Sequence, residues 1–113
     1  MHRANNVPTC VYSLVSLSLL AACAGAPPPK DRMAWAEASV REARAAGAEQ
    51  VPAASVQLER ARGEIRVAHS LCRDDENEKA ESMLRRAAAD AQLAVALARE
   101  ARARSEPFSR PTE

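Results

Sequence analysis

Apolar residues along this chain follow two different rhythms, and the change between them divides it. From Val11 to Leu20 they form a nearly continuous run of ten, broken by Ser13, Ser16 and Ser18. From Asp31 onward they recur at intervals of three and four, the signature of helix faces. Met33, Ala36, Val40 and Ala43 mark a first helix, with Asp31 as its expected N-cap and Gly47 supplying the left-handed residue after its end. Pro52, tolerated in a first turn, opens a second helix whose face is Ala54, Leu58, Ala61, Ile65, Ala68 and Cys72. The run Arg73-Asp74-Asp75-Glu76-Asn77-Glu78 interrupts the pattern, and Asp75 with Glu78 reads as a capping box for a third helix. That helix is expected from about Glu76 to Arg104, with Ala80, Leu84, Ala87, Ala91, Ala94, Ala98 and Ala101 on one face.

Both longer faces repeat every 3.5 residues on average, as interlocking helices require. Most of their members are alanine, which lets a neighbouring helix come close. The expectation is an all-α fold, a small three-helix bundle dominated by an antiparallel hairpin of the second and third helices. Asp90 falls beside the third seam, where an unpaired carboxylate is costly. A cross-helix ion pair with Arg44 is therefore expected, with Arg62 and Arg66 as alternatives and a solvent-facing Asp90 as the other possibility.

The apolar run near the start has another meaning. It is too short and too serine-rich to span a bilayer, which takes about 20 predominantly apolar residues. Preceded by His2 and Arg3, it matches the charged and apolar regions of an export signal. It ends in Leu20-Ala21-Ala22-Cys23, which resembles the lipobox of bacterial lipoprotein precursors. The resemblance implies lipidation of Cys23 after removal of residues 1–22, with a diacylglycerol on sulfur and an acyl chain on the new N-terminus. Two or more chains anchor stably where one binds only marginally. Ordinary export cleavage after Ala22, or a buried N-terminal segment, are the competing readings, and Cys23 decides between them.

Residues 23–30 then form the lipidated cysteine and a proline-rich tether; seven extended residues reach at most about 25 Å. Residues 31–104 form the helical domain and residues 105–113, with Pro107 and Pro111, a disordered tail. Ala24 follows the cysteine in place of the aspartate that resembles an inner-membrane retention signal, so the expected location is the periplasmic face of the outer membrane.

Composition narrows the function. Of 16 Lys and Arg only Arg3 is lost with the leader, leaving 15 basic side chains against 15 acidic ones. Such a balance provides no electrostatic footprint for nucleic acid. One histidine, His69, and one thiol besides Cys23, Cys72, remain beyond the leader. Neither has an evident partner, so no metal, cofactor, small-molecule substrate or catalytic residue is expected. Larger apolar side chains are few, and a face covered by self-association or by a protein partner is expected to make up the deficit.

Several phrases carry a further resemblance: Ala36-Glu37-Ala38-Ser39-Val40, the corner Ala46-Gly47-Ala48 followed by Pro52, and Asp90-Ala91-Gln92-Leu93-Ala94. They are similar to the alanine-rich domain of unknown function 4398, found in bacterial envelope lipoproteins and sometimes placed ahead of a peptidoglycan-binding domain. The resemblance implies an all-helical envelope protein without established catalytic activity. The chain departs from the pattern at Val51, at Arg73-Asp74-Asp75 in place of a short Gly-Asp turn, and after Arg104, where no wall-binding domain is expected. The leading function is a membrane-anchored, non-catalytic interaction or scaffold module. A spacer with noncovalent cell-wall contact and a small envelope hydrolase are the alternatives.

Overall fold

The computed structural model describes residues 25–107. The leader, the lipobox and Cys23 lie outside these residues, as does the tail beyond Pro107. Three helices follow a short extended segment: α1 (Lys30–Ala45), α2 (Pro52–Arg73) and α3 (Asn77–Ser105), with a single 3₁₀ turn at Ala48–Gln50 between the first two. No strand occurs among the described residues. The expected all-α bundle and its dominant hairpin are both present: α2 and α3 share the most extensive interface, and α1 packs mainly on α3 and little on α2.

The seams pack as their spacing predicts. Ala54, Leu58, Ala61, Ile65 and Ala68 of α2 are buried, as are Ala80, Leu84, Ala87, Ala91, Ala94 and Ala98 of α3. Ala88 and Val95, displaced about a third of a turn from that face, are buried too, and they give α3 the second flank on which α1 lies. On α1 the buried positions are Ala36, Ser39 and Ala43. Met33 and Val40 are only half-buried, and Ser39 satisfies its hydroxyl by donating to the Trp35 carbonyl at 3.0 Å. Leu58 and Leu84 are the largest side chains fully enclosed. Each lies in its own cluster: Leu84 with Ile65, Ala87 and Ala36 toward the α2–α3 turn, Leu58 with Ala43, Ala94 and Val95 toward the Gly47 corner. Between the clusters the seam positions are alanine only, Ala61 and Ala91.

The helix ends depart from expectation in two places. α1 begins at Lys30 with Pro29 before it, so Asp31 sits inside the first turn and makes no side-chain cap. Asp75 does not cap α3. It closes α2 instead, in the left-handed region at φ 57°, with its amide bonded to the Cys72 carbonyl at 3.2 Å and the Glu76 amide to Leu71 at 2.8 Å. This pair of bonds is the Schellman closure, and an aspartate tolerates the left-handed region better than most residues. Gly47 plays the equivalent part after α1, at φ 86°, its amide reaching the Arg44 carbonyl at 3.0 Å. Cys72 is half-buried against the cluster near the turn.

The tether is not loose along its whole length. Asn77, buried at the start of α3, donates its side-chain amide to the Ala26 carbonyl at 2.8 Å. Residues just before α1 are thereby fastened to the α2–α3 turn.

Two substitutions test this account. Ala87→Leu forces a large side chain into the closely packed seam and is expected to destabilise the fold by about 1–3 kcal/mol in urea unfolding, whereas a loosely packed seam would absorb it. Gly47→Val places a β-branched residue at positive φ and is expected to lower stability by roughly 1–2 kcal/mol. The added Cβ itself would meet nothing closer than 3.5 Å, so the conformational cost of positive φ applies without a backbone clash.

Candidate functional site

α3 presents one flank to α1 through Ala88 and Val95, and the helical period turns Met83, Arg86, Asp90 and Leu93 to the other. On α2, Arg60, Gly63, Glu64 and Val67 line the same side. Arg60, Gly63, Glu64 and Val67 of α2 with Met83 and Arg86 of α3 border a shallow trough of about 650 Å³, with Val67 exposed at 46%. The trough is open to solvent, and its polar border is mostly arginine.

At its edge two carboxyl groups meet, near the level where the seam is alanine only. Glu64 Oε2 and Asp90 Oδ2 are each buried with no hydrogen-bond donor reaching them. Ionised carboxylates only accept, so the pair is satisfied when one proton makes Glu64 a donor to Asp90. Burial pushes the Glu64 carboxyl up to about 7; the neighbouring Asp90 charge and their hydrogen bond add to the rise, while Arg86 and Arg60 oppose it.

The arginines expected beside Asp90 are elsewhere. Arg44 Nε lies 3.2 Å from Glu49, so the Asp90–Arg44 pair does not form. Arg62 bonds Glu49 at 2.7 Å and also pairs with Glu59 on its own helix. Arg66 borders the trough without an ion pair among the described residues. The physical reason is the side of the helix: Arg62, two residues before Glu64, leaves α2 about 160° around from it, on the side where Glu49 in the 3₁₀ turn collects it together with Arg44. Arg62 above all, then Arg44, hold Glu49 below the usual carboxylate range. Asp90 faces the opposite side of α2 and meets a second carboxyl instead. Glu64 was legible in principle, since it precedes Ile65 on one seam as Asp90 precedes Ala91 on the antiparallel one.

Several other polar residues are engaged at the surface. His69 Nε2 sits 3.5 Å from Glu37, Arg99 bonds Glu42 at 3.2 Å, and Arg32 lies over the half-exposed Trp35 ring, 5.6 Å from its centroid. Arg102 donates to the Ala46 carbonyl at 3.4 Å, fastening the end of α1 to α3. Among the described residues no cluster of three or more metal-ligating side chains occurs, and no helix is long and apolar enough to cross a membrane. A proton exchanged near neutrality could serve acid–base chemistry. The trough offers it no enclosed chamber in which a substrate would be held.

The pair has a measurable cost. An unfolded Glu64 titrates near 4.5 and the folded one near 7, so folding takes up a proton between these values. Stability is therefore full below pH 4.5, falls as pH rises to about 7, and stays low above it. Glu64→Gln keeps a donor for Asp90 without a charge, and it is expected to stabilise the protein by about 1–2 kcal/mol at pH 8, after allowance for partial exposure, and by little at pH 4.5. Equal effects at both pH values in thermal melts would show that the pair holds no such proton.

No curated protein and no solved structure matches this chain. The model of one family does, over residues 31–107, from the second residue of α1 to the last described residue. Most of the chain and all three helices are covered by that match, and the protein belongs to the family described as Domain of unknown function (DUF4398).

Proposed function

We propose that this protein is a cell-envelope lipoprotein, anchored through Cys23, whose helical domain is a non-catalytic interaction module at the periplasmic face of the outer membrane. The observation that carries the interaction reading is the open flank of the hairpin. Val67 is exposed there at 46%, and Val56 on α2 and Leu93 on α3 are exposed at 58% and 45%, on a domain whose own core is mostly alanine. Exposed apolar side chains of this size mark a surface to be covered, and the domain has few large side chains of its own to spare for solvent.

The anchor and the module fit each other geometrically. The bond from Asn77 to Ala26 brings the tether to the α2–α3 turn, so that turn is the end nearer the lipid. From there α3 extends for 29 residues, about 44 Å at 1.5 Å per residue. The Gly47 corner is thus carried to the far end, and the flank of the hairpin runs along the whole distance. A domain held in this way presents a side, rather than a tip, to anything parallel to the hairpin axis.

Replacing Cys23 with serine tests the anchor. The expected outcome is an unprocessed precursor and loss of the stable lipid attachment, read by metabolic labelling with a fatty-acid analogue and by extraction of membranes with carbonate. Unchanged labelling and processing in Cys23→Ser would refute the assignment.

A further inference from the structure

We propose that Asn77 is a clasp on the tether: by holding Ala26 against the start of α3, it shortens the reach of the domain from its lipid anchor and keeps the α2–α3 turn beside the bilayer surface. The proposal rests on the lipid-anchor reading of Cys23 and names the residue that sets how far the domain stands from the membrane.

The side chain of Asn77 serves the tether rather than its own helix. Asn77 opens α3 yet makes no side-chain cap there. It is buried, at 9% exposure, and its amide donates to the Ala26 carbonyl, 51 residues away in sequence, at 2.8 Å. Its Oδ1 is buried too and has no donor among the described residues. A buried amide with an unmet acceptor is costly, and alanine is the better helix former. Within α3 the side chain has no partner; in the tether it has one.

The tether is suited to being held by a single bond. Pro27, Pro28 and Pro29 fix φ at three successive positions, and a residue before proline, here Ala26, is confined to extended conformations. Such a segment has little freedom to lose when it docks. Its carbonyls are engaged at both ends: Pro28 accepts from the Lys30 amide and Pro29 from the Met33 amide, both at 2.9 Å, while Ala26 accepts from Asn77. Pro28 and Pro29 also share a crevice with Lys30 and Arg32 of α1 and Glu81 of α3. The segment therefore lies over the same end of the bundle as the clasp.

Reach follows from where the clasp sits. From Cys23 to Lys30 the chain takes seven steps and spans at most about 25 Å, whereas from Cys23 to Ala26 it takes three and spans at most about 11 Å. With the clasp closed, the turn end of the hairpin is held within the shorter distance; with it open, the domain rises by up to roughly 14 Å. One neutral hydrogen bond shifts such an equilibrium by about two- to tenfold, enough to favour the closed form and little enough to let it open.

The test uses the full lipidated chain in phosphatidylcholine nanodiscs that include a dansyl-labelled headgroup, with energy transfer from Trp35 as the readout. Trp35 is the single tryptophan of the chain and is 44% exposed; it follows Lys30 by five residues, about 8 Å along α1. Asn77→Asp keeps the outline of the side chain without its donor, and its charge suits the first turn of a helix. Asn77→Ala removes the amide altogether. Both are expected to lower the transfer at least about twofold as the leash lengthens, with helicity in circular dichroism unchanged. A role confined to folding would move helicity and melting temperature and leave the transfer as it was. The clasp itself is read in nuclear magnetic resonance spectra of the same chain, as a nuclear Overhauser contact between the Asn77 side-chain amide and Ala26. Equal transfer in all three proteins, a loss with Asn77→Ala that Asn77→Asp does not share, or absence of that contact would overturn the proposal. Cys23→Ser tells a failed clasp from a failed anchor. No transfer in the wild-type chain or in Cys23→Ser, with the Asn77–Ala26 contact present, removes the anchor and the leash with it, whereas transfer that depends on Cys23 but not on Asn77 removes the clasp alone.

Discussion

The close approach of α2 and α3 along a seam of alanines is the constraint on which the rest of the structure depends. An alanine side chain contributes little apolar area, so the hairpin gains less from transfer out of water than from many short contacts between two backbones brought together. Such contacts fall away steeply with separation. They require that Ala54, Ala61 and Ala68 on one helix and Ala80, Ala87, Ala91, Ala94 and Ala98 on the other remain small. Leu58 and Leu84 supply the bulk at two levels, and between them the core narrows to Ala61 and Ala91.

That narrowing shapes the chemistry of the surface. Where seam residues are small, the positions beside them are drawn inward, and Glu64 and Asp90 lose water they would keep on a wider bundle. Desolvation, rather than a designed contact, is the largest cause of the raised Glu64 carboxyl. α1 reinforces the same geometry from the opposite flank. It lies on Ala88 and Val95, is joined to α3 by Arg99 and Arg102, and leaves the second groove of the hairpin uncovered.

Periodicity made the helices and their buried faces legible. The seams of α2 and α3 are set by spacing alone, and proline and glycine mark the corner between α1 and α2 because their backbone preferences are local. The polar details were less accessible. Asp75 resembled a cap for α3 because an acid followed by another three residues later suits that role, but the same residue also suits the left-handed end of α2, and the chain used it there. The partner of Asp90 depended on which residues of separate helices share a level. Arg62 lies near the level of Asp90 but projects from the other side of α2, whereas Glu64 faces Asp90, and only the antiparallel register together with the rotation of each helix reveals it. Asn77 was read as part of a charged break, while its bond to Ala26 joins residues far apart in sequence.

The places where this chain departs from local optimum are not scattered. Its caps, its surface ion pairs and its alanine seams agree with the fold, and consistency of that kind is what makes a sequence specify one structure. Among the exceptions are a glycine inside a helix and two facing carboxyl groups. Gly63 and Glu64 are neighbours on α2 and both border the trough on the side that α1 does not cover. Each is tolerable in a small domain, and both cost the fold something: the glycine weakens the interior of α2, and the raised Glu64 carboxyl must take up a proton on folding near neutrality.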